Sequence, residues 1–132
     1  MIVLDANVII GFLDASDVHH SHAVRVLEDA LAEGYAASVL TVAEALIHPT
    51  RLGLQDSASV ALKEIGLTIL PLSSEDAPSL ARVRAQYGVR MPDAIVLHAA
   101  LTTGAKLATF DGDLAAAARE AGIIAIGFQP ET

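Results

Sequence analysis

The chain has 132 residues, 53% of them apolar, which suits one compact domain over 1–132 and excludes a disordered chain. No apolar run approaches the ~18–20 residues that cross a membrane, and the opening Met1 to Asp5 lacks a basic leader, so a cytoplasmic location is expected. The absence of cysteine rules out disulfides, a thiolate nucleophile and Cys-type zinc sites, while 16 acids against 8 Lys and Arg (net −8) oppose polyanion binding unless the acids gather in one place.

Apolar runs alternate with helical stretches along the whole chain. Residues 1–4 form a short, fully apolar strand, and 6–13 a first helical stretch. Residues 18–33 form a longer helix, with Val24, Leu27 and Leu31 at helical spacing and Gly34 as its stop. A second strand covers 35–38, a helix 40–48 ends before Pro49, and a further helix spans 55–65. Residues 67–72 give a third strand and 74–87 a helix. The next helix, 92–103, opens on proline and closes at Gly104. Residues 106–110 form a fourth strand, 111–121 an Ala-rich helix and 123–126 a fifth strand. Short apolar strands separated by helices indicate an α/β fold of three layers, helices covering both faces of a parallel five-strand sheet. Such folds bind ligands beyond the C-terminal strand ends, near the point where strand order reverses.

Five carboxylates fall near those ends or on helices that follow them: Asp5, Glu44, Asp93, Asp111 and Asp113. Each has a simple structural reading. Asp5 and Asp111 are good helix N-caps, Asp93 and Asp113 suit first helical turns, and Thr41 to Glu44 matches a capping box. Capping does not account for the joint pattern of strand-end acids set among apolar neighbours. Grouped carboxylates repel one another, and the usual remedy is a hard divalent cation with oxygen ligands, Mg²⁺ or Mn²⁺. Two such ions can activate a water and stabilise the leaving oxygen of a phosphodiester, which makes metal-assisted phosphodiester hydrolysis the indicated reaction class.

Four motifs carry a family resemblance: Val-Leu-Asp-Ala-Asn-Val, Ser-Val-Leu-Thr-Val-Ala-Glu-Ala, Met-Pro-Asp-Ala-Ile-Val-Leu-His-Ala-Ala and Leu-Ala-Thr-Phe-Asp-Gly-Asp-Leu. In this order and spacing the chain, from Met1 to about Ile126, resembles the PIN-domain family and, within it, the VapC-like toxins of bacterial toxin–antitoxin pairs. The resemblance implies a PIN-like fold and an Mg²⁺- or Mn²⁺-dependent endoribonuclease with Asp5, Glu44, Asp93 and Asp111 as its acidic quartet. Asp113 falls where many relatives carry a further acid, and Asn7 and Thr109 match polar positions that order the carboxylates. Leu114 stands where an aromatic residue is frequent. The resemblance also implies an RNA substrate, a cognate antitoxin whose C-terminal segment covers the site with a basic side chain, and homodimerisation.

Other features read more plainly. His19, His20 and His22 form a cluster at a helix start, an unfavourable place for imidazolium, and hard-metal chemistry needs no histidine here. His48 and His98 lie among apolar residues and read as structural. Arg82 and Arg84 suit a solvated helix face, whereas Arg90 precedes Asp93 closely enough for a phosphate contact. Aromatic content is 4%, so platforms for base stacking are expected to be scarce. A dehalogenase-like phosphatase needs Asp where Asn7 stands, and a receiver-type signalling domain accommodates Glu44 poorly. A solitary PIN-domain RNA-processing nuclease and a non-enzymatic PIN interaction module remain as alternatives.

Overall fold

The computed structural model describes residues 1–129. Among them five parallel strands, β1 (Ile2–Leu4), β2 (Tyr35–Ser38), β3 (Thr68–Leu70), β4 (Lys106–Ala108) and β5 (Ala125–Ile126), form one sheet in the order β3-β2-β1-β4-β5. The helices are α1 (Ala6–Leu13), α2 (His20–Asp29), α3 (Val39–Arg51), α4 (Gln55–Glu64), α5 (Ala77–Tyr87), α6 (Met91–Thr103) and α7 (Gly112–Glu120), with a 3₁₀ turn, Ser74–Asp76, ahead of α5. In the central pair Ile2 stands opposite Lys106, Val3 opposite Leu107 and Leu4 opposite Ala108.

Side chains alternate across the sheet even where every residue is apolar, and this divides the core in two. Ile2, Leu4, Ala37 and Ala108 pack with Val8, Ile9, Leu27, Val42 and Leu62 from α1 to α4. Val3, Ala36 and Leu107 pack with Val83, Val96, Leu97 and Leu114 from α5 to α7. The three layers expected from the alternating pattern are therefore present. Helix α6 is buried continuously from Ala94 to Ala100, as its nearly unbroken apolar sequence requires, and it ends where Gly104 takes a φ of +70°. Leu114 is fully buried, so at this position an aliphatic side chain fills the core.

Several expected boundaries move. Helix α3 runs through Pro49 to Arg51. Proline lacks the N–H for its own helical bond, yet the helix continues past it, and the backbone N–H of Leu52 donates to the His48 carbonyl at 3.2 Å. Helix α2 is shorter than the 18–33 span. The chain leaves the helix after Asp29, short of the expected stop at Gly34, and Leu31 beyond it is 68% exposed. The Thr41 to Glu44 capping box does not form, because β2 passes into α3 without a loop and Ser38 becomes the N-cap residue. Thr41 is buried inside the first turn, which leaves Glu44 exposed and free of any capping duty. Strand β3 shortens to three residues before Pro71, which cannot donate to a ladder.

Leu97 is fully enclosed between α6 and the sheet. Leu97→Ala is expected to cost about 3 kcal/mol, read as a lower midpoint in urea and a melting temperature reduced by roughly 10 °C.

Candidate active site

From β1 the chain moves outward to β2 and β3, then returns to the other side of β1 to lay down β4 and β5. Strand order therefore reverses at the β1–β4 pair, which opens a crevice at the C-terminal ends of those strands. Asp5 follows β1 there and Thr109 follows β4. The Asp5 N–H donates to the Ala108 carbonyl at 2.9 Å, which carries the ladder up to the crevice.

Asp5 is 9% exposed, and both of its oxygens are held. The Ala6 N–H donates to Oδ1 at 2.7 Å, so the N-cap expectation holds, and the Thr109 hydroxyl donates to Oδ2 at 2.7 Å. Thr109, fully buried, accepts in turn from the Asp111 N–H at 3.0 Å and from Asn7 Nδ2 at 3.4 Å. Asn7 Oδ1 accepts from the Phe110 N–H at 3.2 Å. Asp111 caps α7 by accepting from the Asp113 N–H at 3.1 Å. Asn7 and Thr109 thus tie the start of α1 to the β4–α7 turn, with Asp5 and Asp111 on the two sides of the link.

The other acids arrive from separate elements. Asp93 occupies the first turn of α6, with its side chain 13% exposed and Oδ2 3.6 Å from Nε of Arg90. Arg90 itself is 79% exposed. Glu44 projects from α3 and Asp113 from the start of α7, both exposed. The five share one electrostatic field. Burial, with smaller contributions from the charges of Asp93 and Glu44, pushes the Asp5 carboxyl up to about 6 against the pull of its Thr109 and Ala6 hydrogen bonds. Asp93 is raised chiefly by burial, partly offset by Arg90, and raised again by Asp111 and Asp113. An all-oxygen set of mutually repelling carboxylates fits a hard divalent cation. Among the described residues no three acidic or imidazole side chains converge closely enough, as placed, to enclose an ion. The set is therefore looser than a closed coordination shell.

The histidines occupy other positions. His20 Nδ1 lies 2.7 Å from the Gly11 carbonyl and joins α2 to α1. His98 is buried on α6, with Nε2 3.8 Å from Asp76, consistent with a structural part. The rings of His19 and His22 stack on Phe110, at centroid separations of 4.9 and 4.6 Å. That array was not legible as a site, although Phe110 sits inside the Thr-Phe-Asp motif. An apolar groove of about 600 Å³ also escaped the sequence reading. Ile10, Leu13, Ile47, Leu52 and Leu54 line it, and Glu44 stands at its wall.

The PIN-domain family model matches residues 2–120. The chain belongs to the PIN-domain family. Comparison with curated protein sequences finds no match. Among solved structures it is similar to a toxin–antitoxin complex from Klebsiella pneumoniae (24% identity, 87% of this chain and 91% of that one, TM-score 0.69). It is similar to FitAcB from Neisseria gonorrhoeae (24%, 98% of each chain, TM-score 0.71). It also resembles VapC20 from Mycobacterium tuberculosis, described as a toxin that cleaves the sarcin–ricin loop (16%, 98% of this chain and 100% of that one, TM-score 0.74). At these identities the likeness is one of PIN fold.

Two outcomes follow from the geometry. Because the folded state holds the Asp5 proton more tightly than the unfolded chain, Asp5 favours folding below its ordinary pKa of 3.8, and that contribution is lost as pH rises through about 6. In urea melts with EDTA from pH 4 to 8, the wild type is expected to lose about 2–3 kcal/mol relative to Asp5→Asn; a pH-independent difference would contradict this. Thr109→Val leaves Asp5 Oδ2 and the Asp111 N–H short of a partner and is expected to cost about 1–3 kcal/mol in the same melts, with Thr109→Ser restoring most of it.

Proposed function

We propose that this PIN domain is a metal-dependent endoribonuclease, the toxin of a toxin–antitoxin pair. The observation that carries the reading is the position of Asp5. It is buried at the strand-order reversal, fixed through both oxygens, and its carboxyl is raised chiefly by that burial and further by the nearby charges of Asp93 and Glu44. A fixed, partly protonated carboxyl among other acids is a poor structural device and a good seat for a cation.

In this reading Asp5, Glu44, Asp93 and Asp111 hold the ion or ions, with Asp113 assisting. Bound there, Mg²⁺ or Mn²⁺ would supply a nucleophilic water at neutral pH and stabilise charge on the leaving oxygen. Asp5 is held rigid through Thr109 and Ala6 and sets the frame. Glu44 and Asp113 are exposed and free to rotate toward a ligand. Thr109 and Asn7 keep the Asp111 turn in register with Asp5. Arg90 is placed to exchange Asp93 for a substrate phosphate once a cation takes over the carboxylate. In-line hydrolysis on this frame leaves 5′-phosphate and 3′-hydroxyl ends.

The apolar groove beside Glu44 supports the antitoxin part of the proposal. A segment with apolar side chains along α1, α3 and α4 and one basic residue reaching Glu44 would bury the groove and neutralise the site together.

The test is cleavage of single-stranded RNA by wild type and Asp5→Asn in Mg²⁺ and in EDTA, with the ends of the products mapped. Cleavage is expected only for the wild type in Mg²⁺, and induced expression in bacteria should arrest growth only with the wild type. Cleavage that survives EDTA or Asp5→Asn would falsify the metal mechanism.

A further inference from the structure

Two of the three phenylalanines and two of the five histidines meet at the β4–α7 turn. Phe110, between Thr109 and Asp111, carries the rings of His19 and His22 stacked against it, with interplanar angles of 29° and 27°. Phe128 completes the group by lying over Gly112, where a Cβ would stand 2.9 Å from the phenyl ring. Gly127 allows this close approach. Its φ is +96°, and a Cβ there would meet the Thr109 carbonyl at 3.0 Å. Both glycines are therefore needed for aromatic rings to crowd the residues on either side of Asp111.

The array is rigid and partly open. The Phe110 N–H is bound to Asn7, and His20 anchors the α2 start to Gly11. Gly11 sustains that approach, since a Cβ on it would stand 3.1 Å from Ala23. His19 is exposed, and His22 and Phe110 are half-buried, so ring surface remains available to solvent. Burial, with Arg25 and His19 nearby, holds the His22 imidazole below its usual range. His22 and Arg25 open with Phe128 and Gln129 onto a cavity of about 400 Å³, within the size range of small-ligand pockets.

We propose that the His19–Phe110–His22 array is a stacking site for an unpaired base of the RNA strand, beside the phosphate to be cut. The proposal rests on the nuclease reading and specifies how the strand is held. A net charge of −8 opposes RNA binding through the backbone phosphates, whereas stacking of a base on an aromatic face is indifferent to that charge. The imidazole and phenyl rings next to Asp111 supply such a face, and Arg25 lines the cavity that adjoins it. The expectation that stacking platforms would be scarce counted Phe, Tyr and Trp and left histidine out.

The test uses short single-stranded RNAs with 2-aminopurine at each position in turn. They are titrated with the wild type in Ca²⁺, whose looser coordination keeps a hard cation at the carboxylates while holding back hydrolysis. The protein has no tryptophan to obscure the signal. Emission should be quenched at one position. The double variant His19→Ala/His22→Ala should lose that quenching and bind about tenfold more weakly. His19→Phe/His22→Phe should restore both. Wild-type affinity and quenching in the alanine variant overturn the proposal. Weakened binding with no position-specific quenching in any protein assigns the rings to holding the turn, and also overturns it. Cleavage of the same RNAs in Mg²⁺ is scored separately: if the wild type cuts none of them, the nuclease reading falls and the stacking site with it.

Discussion

The hydrogen bond from the Thr109 hydroxyl to Asp5, made across the β1–β4 crevice at 2.7 Å, is the contact on which the arrangement of the rim depends. It joins residues 104 apart in sequence where the strand order of the sheet reverses. Everything beside it follows from the bonding capacity of a single hydroxyl. Its proton goes to Asp5, and its lone pairs accept from Asp111 and Asn7, so the ends of β1 and β4 and the first residues of α1 and α7 move as one body. A threonine suits the position because its methyl packs in a fully buried site while its oxygen serves three partners. Valine has the shape without the oxygen.

Around that bond the protein tolerates a costly local charge distribution. Asp5 is nearly out of water and raised by two neighbouring acids, and Asp93 is raised by two more. Folding alone does not need such a cluster, since the same caps could be made by Ser or Asn without charge. Capping and cation binding are not rival explanations, because one carboxylate does both. Asp5 and Asp111 each accept a helix N–H, and a carboxylate has about four acceptor sites, so capping leaves capacity for a cation. In the proposed nuclease the net charge of −8 acquires a purpose: five of the 16 acids belong to the proposed site, and two divalent ions would halve the formal charge of the chain, with the largest change where phosphate must approach.

Local chemistry was dependable where it was short-range. The apolar runs, the glycines that end α5 and α6 and the proline that opens α6 lead to the layered architecture seen. Errors arose where a neighbour in space overrode a local signal. Pro49 did not stop α3, because one missing bond in the last turn is small beside the packing of α3 against α1. Thr41 did not cap a helix, because β2 ran directly into it. Leu31 fits a helical stripe on paper but lies beyond the last turn that α2 makes against the sheet face.

The amino-acid sequence by itself determined the alternating strands and helices, the acids at the strand ends and the membership of a PIN family, since these are matters of spacing and side-chain type along a line. Only the tertiary structure decided that Glu44 is free, that Asp5 is clamped through both oxygens, and that His19 and His22 face Phe110. Those facts depend on which turns are brought together when strand order reverses between β1 and β4. Periodicity says which face of an element is buried. It does not say which distant hydroxyl or ring will occupy the space beside it.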